Sequence, residues 1–123
     1  MSYNALVVDD DPASRLIYQQ ILTPLGFEVE TAGDGATAVE FLAHCAFDIV
    51  FLDMLLPQLS GAEVFAYIRQ ASHLRKTCII VISAHRRFME HLLLTNCDRY
   101  LVKPVSLKDV REAVSNALDA IQN

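Results

Sequence analysis

The chain predicts an α/β fold, a doubly wound five-stranded parallel sheet built as (βα)5. Three observations carry that expectation. Apolar runs and amphipathic segments alternate five times along 123 residues. Unbroken runs such as Ile49-Val50-Phe51-Leu52 and Cys78-Ile79-Ile80-Val81-Ile82 suit strands covered on both faces, as strands of parallel sheets are. The connections are short, with no linker-like stretch, repeat or low-complexity segment, so residues 1–123 read as one domain.

The first unit is the strand Ala5-Leu6-Val7-Val8, followed by Asp9-Asp10-Asp11-Pro12. Asp11 as N-cap and Pro12 at the first helical position start a helix, whose apolar stripe Ile17, Ile21 and Leu25 runs to Gly26. Phe27 to Ala32 alternates apolar and polar side chains, the pattern of an edge or half-exposed strand. Gly33-Asp34-Gly35 turns the chain into a second helix, with Ala36, Val39, Leu42 and Ala43 as its buried stripe. The third strand ends at Asp53, and Pro57 prevents it from continuing. Ser60-Gly61-Ala62-Glu63 has capping-box spacing and opens a helix that buries Val64, Phe65, Ile68 and Ala71, which makes Glu63 structural.

Cys78 to Ser83 is the fourth strand. After His85-Arg86-Arg87 a short helix runs through Phe88, Met89, Leu92 and Leu93 and closes at Asn96. Tyr100-Leu101-Val102-Lys103 is the fifth strand, stopped by Pro104. Ser106-Leu107-Lys108-Asp109 caps the last helix, whose stripe is Leu107, Val110, Val114, Ala117, Leu118 and Ile121.

Composition narrows the class of function. A 53% hydrophobic content fits a folded globule, and a formal charge of -5 argues against direct nucleic acid binding, which rests on clustered Lys and Arg. Only Ser2-Tyr3-Asn4 precedes the first apolar run, so the expectation is a cytoplasmic protein without a membrane segment. Cys45, Cys78 and Cys97 lack CxxC spacing and read as small buried hydrophobes. His44, His73, His85 and His91 show no metal-ligand spacing.

The strand order 2-1-3-4-5 places the second strand outermost, and its tip carries no polar or charged candidate. The other four tips then set Asp9, Asp10, Asp53, Ser83 and Lys103 along the edge where doubly wound sheets bind ligands. Two carboxylates about 4 Å apart repel by about 4 kcal/mol at an effective dielectric of 20, and three repel more. Lys103 cannot neutralise three charges. A divalent cation can, and an all-oxygen site with few protein ligands suits Mg²⁺ or Mn²⁺. Beside two cations, an Asp53 oxygen is placed to attack phosphorus in line while the Ser83 hydroxyl bonds another phosphoryl oxygen. The chemistry indicated is aspartyl phosphorylation.

Over its whole length the chain resembles a response-regulator receiver domain of two-component signalling, similar to the chemotaxis regulators and flavodoxin-like in fold. The resemblance rests on Val7-Val8-Asp9-Asp10-Asp11-Pro12, on Phe51-Leu52-Asp53 with Pro57 and Gly61, on Ser83-Ala84, and on Tyr100 with Lys103-Pro104. It implies that Asp53 accepts a phosphoryl group from a sensor histidine kinase or a phosphotransfer protein. It further implies that Asp10 ligates the metal directly, that Asp9 acts through water, and that the Leu55 carbonyl is a third ligand. Lys103 would pair with Asp53 and then with the phosphoryl group, Ser83 would swing inward, and Tyr100 would follow it. The face of the fourth helix, fifth strand and last helix would change, and it would serve a downstream effector protein or a homodimer. Ser83 stands where Thr is common, Leu56 replaces a frequent Met, and the segment from Ser83 to Lys103 is two residues shorter than is usual for the family. Leu55 and His85 would flank the phosphoryl group, and apolar Leu55 would hinder an attacking water and prolong the aspartyl phosphate.

Two other classes stay open from the residues. A phosphohydrolase with an Asp nucleophile would want a second acid two residues on, where Leu55 stands. A non-phosphorylated interaction module would not need the five tip residues together. With no effector domain expected after Asn123, output would pass to a partner, or this is one domain of a longer protein.

Overall fold

Buried strands need a partner on both edges or a cover, and the sequence supplies both. The computed structural model describes residues 3–54, 56, 60–84 and 99–122. Within them, β1 (Tyr3–Val8), β2 (Phe27–Ala32), β3 (Ile49–Asp53), β4 (Cys78–Ser83) and β5 (Arg99–Val102) form one parallel sheet. Its order is β2-β1-β3-β4-β5, as expected of the alternation. Edge strand β2 keeps Glu28 and Glu30 at the surface, and its apolar ends Phe27 and Ala32 are buried.

Because side chains alternate along a strand, each strand feeds two cores. Leu6, Val8, Val50, Leu52, Ile79 and Val81 face α2 (Gly35–His44) and α3 (Gly61–Gln70), meeting Ala38, Leu42, Val64, Phe65 and Ile68. Ala5, Val7, Ile49, Phe51, Ile80 and Ile82 face α1 (Pro12–Leu22) and the C-terminal helix (Leu107–Gln122), meeting Tyr18, Leu22, Val110 and Val114. No described helix is long and apolar enough to cross a membrane.

Helix starts follow the residues expected to make them. Asp11 caps α1 by accepting from the Ala13 amide at 3.1 Å, and Asp34 caps α2 by accepting from the Thr37 amide at 2.7 Å. Ser60 accepts from the Glu63 amide at 3.3 Å. At the C-terminal helix the capping is reciprocal: the Asp109 amide donates to Ser106 Oγ, and the Ser106 amide donates to the Asp109 carboxylate.

Helix faces depart from the expected stripes. In α1 the buried residues are Tyr18 and Leu22, whereas Ile17 is 54% exposed and Leu25 41% exposed. A four-residue spacing rotates about 40° per step around a helix, so Ile17, Ile21 and Leu25 drift off any one face. The Tyr18 ring instead covers the sheet, stacked on Phe51 with centroids 5.5 Å apart. The helix also stops at Leu22, and a tight turn over Thr23–Leu25 ends at Gly26, whose φ of 97° is left-handed.

In α2 the residues against the sheet are Gly35, Ala38 and Leu42, while Ala36 and Ala43 face solvent and Val39 packs at the margin. The cap at Asp34 sets that rotation. Ala71 lies just past α3 and is half-buried, and Leu107, in the first turn of the C-terminal helix, is exposed. Ala113 joins the core there unanticipated. Cys45 is exposed just beyond α2, against expectation, whereas Cys78 is half-buried where β4 begins and packs against the core on the α1 side. Leu55, Pro57, His85, His91, Cys97 and the helix expected through Phe88, Met89, Leu92, Leu93 and Asn96 lie outside the described residues.

Candidate active site

Strand register brings the predicted residues to one edge. Val8 is level with Leu52, so Asp9 and Asp53 leave adjacent strands side by side. Asp53 is level with Ile82, which puts Ser83 one step further out, and Ser83 is level with Val102, the residue before Lys103. Main-chain bonds extend the ladder past the strand ends: the Asp9 amide donates to the Ala32 carbonyl, Met54 to Ile82, and Lys103 to Ser83. The ladder therefore continues one residue past each of these three strand ends, through a bond to one neighbour.

Asp9, Asp53 and Ser83 are buried, and Asp10 is exposed. One carboxylate oxygen from each of Asp9, Asp10 and Asp53 lies within 4.8 Å of the others. The Lys103 ammonium stands 2.9 Å from Asp53 Oδ2 and 3.3 Å from Asp9 Oδ2. Burial pushes the Asp9 carboxyl above its ordinary value, and the Asp53 charge adds to that, outweighing the Asp11 amide and the Lys103 charge. Burial acts against the Lys103 ammonium, but its hydrogen bond to Asp53 and the charges of Asp53 and Asp9 prevail and raise its pKa.

Asp11 stays out of the cluster, as expected of a cap. Its carboxylate accepts from the Ser14 hydroxyl and the Ala13 amide, which hold its pKa low. Asp9, by contrast, has a local bond that was not foreseen: its Oδ1 accepts from the Asp11 amide at 2.9 Å. Tyr100, level with Val81, is half-buried and packs against the core shared with α2 and α3. Leu55, named for its carbonyl, lies outside the described residues.

Arg15 and Tyr18 near the site were not foreseen from the sequence, and Gly61, already part of the motif there, has a packing role that was not. Arg15 Nη1 donates to the Asp9 main-chain carbonyl at 2.7 Å. A cation this close to a helix N-terminus works against the helix dipole, and that conflict was the available signal for an acidic partner. Tyr18 lies under the cluster, its phenol pushed up to about 12 by burial and then by the Asp9 charge. Gly61 brings α3 onto the strand tip: its amide donates to the Met54 carbonyl, and a Cβ there would run into the Asp53 carbonyl oxygen.

The donor set fits a hard divalent cation. Among the described residues, Lys103 pairs with two of the three clustered carboxylates, two of the three are buried, and every candidate ligand atom is oxygen.

The fold and this edge define a class. Residues 5–115 match the family model of the response regulator receiver domain, and the chain belongs to that family. Among curated relatives, it is 36% identical over 112 residues to the response regulator MprA of Mycobacterium ulcerans, covering 89% of this chain and 47% of that protein. It is 35% identical over 118 residues to the sensor histidine kinase AtsR of Burkholderia thailandensis, covering 91% of this chain and 19% of that protein. The chain thus spans about half or less of the curated relatives it matches. Among solved structures, the response regulator TrrA of Thermotoga maritima in complex with Mg²⁺ and BeF superposes with a TM-score of 0.84. That pair is 31% identical, with 95% of this chain and 99% of that one covered.

Proposed function

We propose that Asp53 is the phosphoacceptor of a two-component phosphorelay. One observation carries the reading: a buried carboxylate at a strand tip, 2.9 Å from a lysine ammonium and grouped with two further acids. The donor is a phosphohistidine on a sensor histidine kinase or a phosphotransfer protein. The TrrA complex with Mg²⁺ and BeF and the kinase and regulator names among the relatives support it.

An Asp53 oxygen attacks phosphorus, the P–N bond breaks, and the imidazole nitrogen departs with the electron pair, leaving an acyl phosphate. Lys103 moves from the carboxylate to a phosphoryl oxygen, and the Ser83 hydroxyl donates to another. Asp9, Asp10 and Asp53, with the Leu55 carbonyl, would hold Mg²⁺ or Mn²⁺, with Asp9 acting through water. When bound, the cation screens phosphoryl charge during transfer. The chain promotes its own phosphorylation and dephosphorylation rather than turning over a separate substrate. Movement of Ser83 and Tyr100 then alters the face beside β5 that an effector protein reads.

Acetyl phosphate with Mg²⁺, followed by intact mass, tests the reading. The expected result is a stable gain of one phosphoryl group, absent in Asp53→Asn, which keeps the fold. Retained labelling in that variant would remove Asp53 from the role. Continuous phosphate release without a labelled protein would favour a hydrolase.

A further inference from the structure

We propose that Arg15 is the positioning residue for the acidic pair and that Gly33 keeps its slot open. The inference rests on the reading that Asp9 and Asp10 hold a divalent cation. Asp9 and Asp10 stand just past the end of β1, where the ladder no longer holds the chain on both sides. The carbonyl that receives Arg15 Nη1, at 2.7 Å, belongs to the peptide joining these two residues. Anchoring that one peptide sets the direction of both carboxylates, because each side chain leaves from an end of it. A charged donor on a carbonyl is about twice as strong as a neutral one, so the anchor is stiff.

The route to that carbonyl passes over the tip of β2. Ala32 accepts from the Asp9 amide, and Gly33 follows it. A Cβ on Gly33 would stand 2.9 Å from Arg15 Nη1 and 3.5 Å from its Cζ, with only this side chain in the way. Gly33 lies in the bend between β2 and α2, but its φ is not left-handed, so the backbone there does not itself require glycine. It leaves room for the guanidinium between the β2 tip and the Asp9 carbonyl. Placing alanine there displaces a flexible side chain and leaves the fold in place, which makes Gly33→Ala an independent way to break the same bond.

A cation beside an acidic cluster also repels a metal ion, so the direction of the effect separates positioning from charge. Hydrogen-bond partners that orient metal ligands are worth about tenfold or more in affinity. Mg²⁺ alone is titrated into the full chain by calorimetry, with folding checked by urea denaturation. Arg15→Ala and Gly33→Ala are expected to bind about tenfold more weakly than wild type. Arg15→Lys, which keeps the charge and one donor, is expected between them and wild type. In metal-free protein the Asp10 and Asp11 amide resonances shift in both Arg15→Ala and Gly33→Ala. Equal or tighter Mg²⁺ binding by Arg15→Ala, or unchanged binding by Gly33→Ala, would overturn the proposal. Should wild type itself bind no Mg²⁺, the cation reading fails, and unshifted Asp10 and Asp11 amides would then overturn positioning separately.

Discussion

Lys103→Met removes the ammonium while keeping most of the side chain's volume. In the folded protein that ammonium is 2.9 Å from Asp53 Oδ2 and 3.3 Å from Asp9 Oδ2, with both carboxylates nearly sealed from water. A unit-charge pair at about 3 Å is worth about 5 kcal/mol at an effective dielectric of 20, before desolvation. Desolvation of the two acids is incurred whether or not the lysine is present, so the variant is left with facing buried charges. Breaking a fully buried pair costs about 3–5 kcal/mol. The Lys103 side chain is 30% exposed, and screening there lowers the expected loss to about 2–3 kcal/mol. Urea denaturation in EDTA near neutral pH should show that loss, and saturating Mg²⁺ should recover most of it. The pH dependence has a definite sign. Asp9 titrates above 3.8 in the folded state, so the folded protein binds the extra proton and this group's contribution falls as pH rises from 3.8 through the raised value. Without Lys103 that value rises further, and the gap between variant and wild type should widen from acid towards neutral pH. An unchanged urea midpoint in EDTA, or a loss that Mg²⁺ leaves untouched, would refute the electrostatic account.

Gly61→Ala should be destabilising by about 2 kcal/mol or more, because the new Cβ meets backbone rather than a side chain that can yield. It would collide with the Asp53 carbonyl oxygen and stand 2.5 Å from Met54 Cα, so α3 must lift from the β3 tip. A wild-type urea midpoint and labelling rate with acetyl phosphate would show that the contact is not tight. Tyr18→Phe tests burial beneath the cluster. The Tyr18 phenol ionises at about 12 instead of 10.0, so its contribution to stability is complete below 10.0 and is lost as pH rises towards 12. Stability should fall by up to about 3 kcal/mol across that window. Other groups contribute to the slope at high pH, so the difference between Tyr18→Phe and wild type isolates the phenol. Equal slopes would place the hydroxyl in water.

The five-stranded order and the assembly of Asp9, Asp10, Asp53 and Lys103 were legible because both follow from one-dimensional facts. A run of apolar residues has no exposed face to choose, so the strands and their ends are read directly, and a charge at such an end has nowhere to go but the sheet's edge. Helix faces are a different problem. Ile17 and Tyr18 are adjacent in sequence, and which of them meets Phe51 depends on where the Asp11 cap begins the helix and how the ring fits the sheet. Apolar spacing alone left that rotation open, which is why Ile17 and Leu25 were placed inward and stand outward. The pairing of Arg15 with Gly33 was invisible for a stronger reason. Their relation exists only because β1 and β2 are neighbours in register at Val8 and Ala32, so that a helix on one side can reach past the other's tip. A glycine with an ordinary φ and an arginine in a first turn carry no shared local pattern. Strand order alone does not give the path of one side chain past the next strand's tip, and that path is what gives the space between them a meaning.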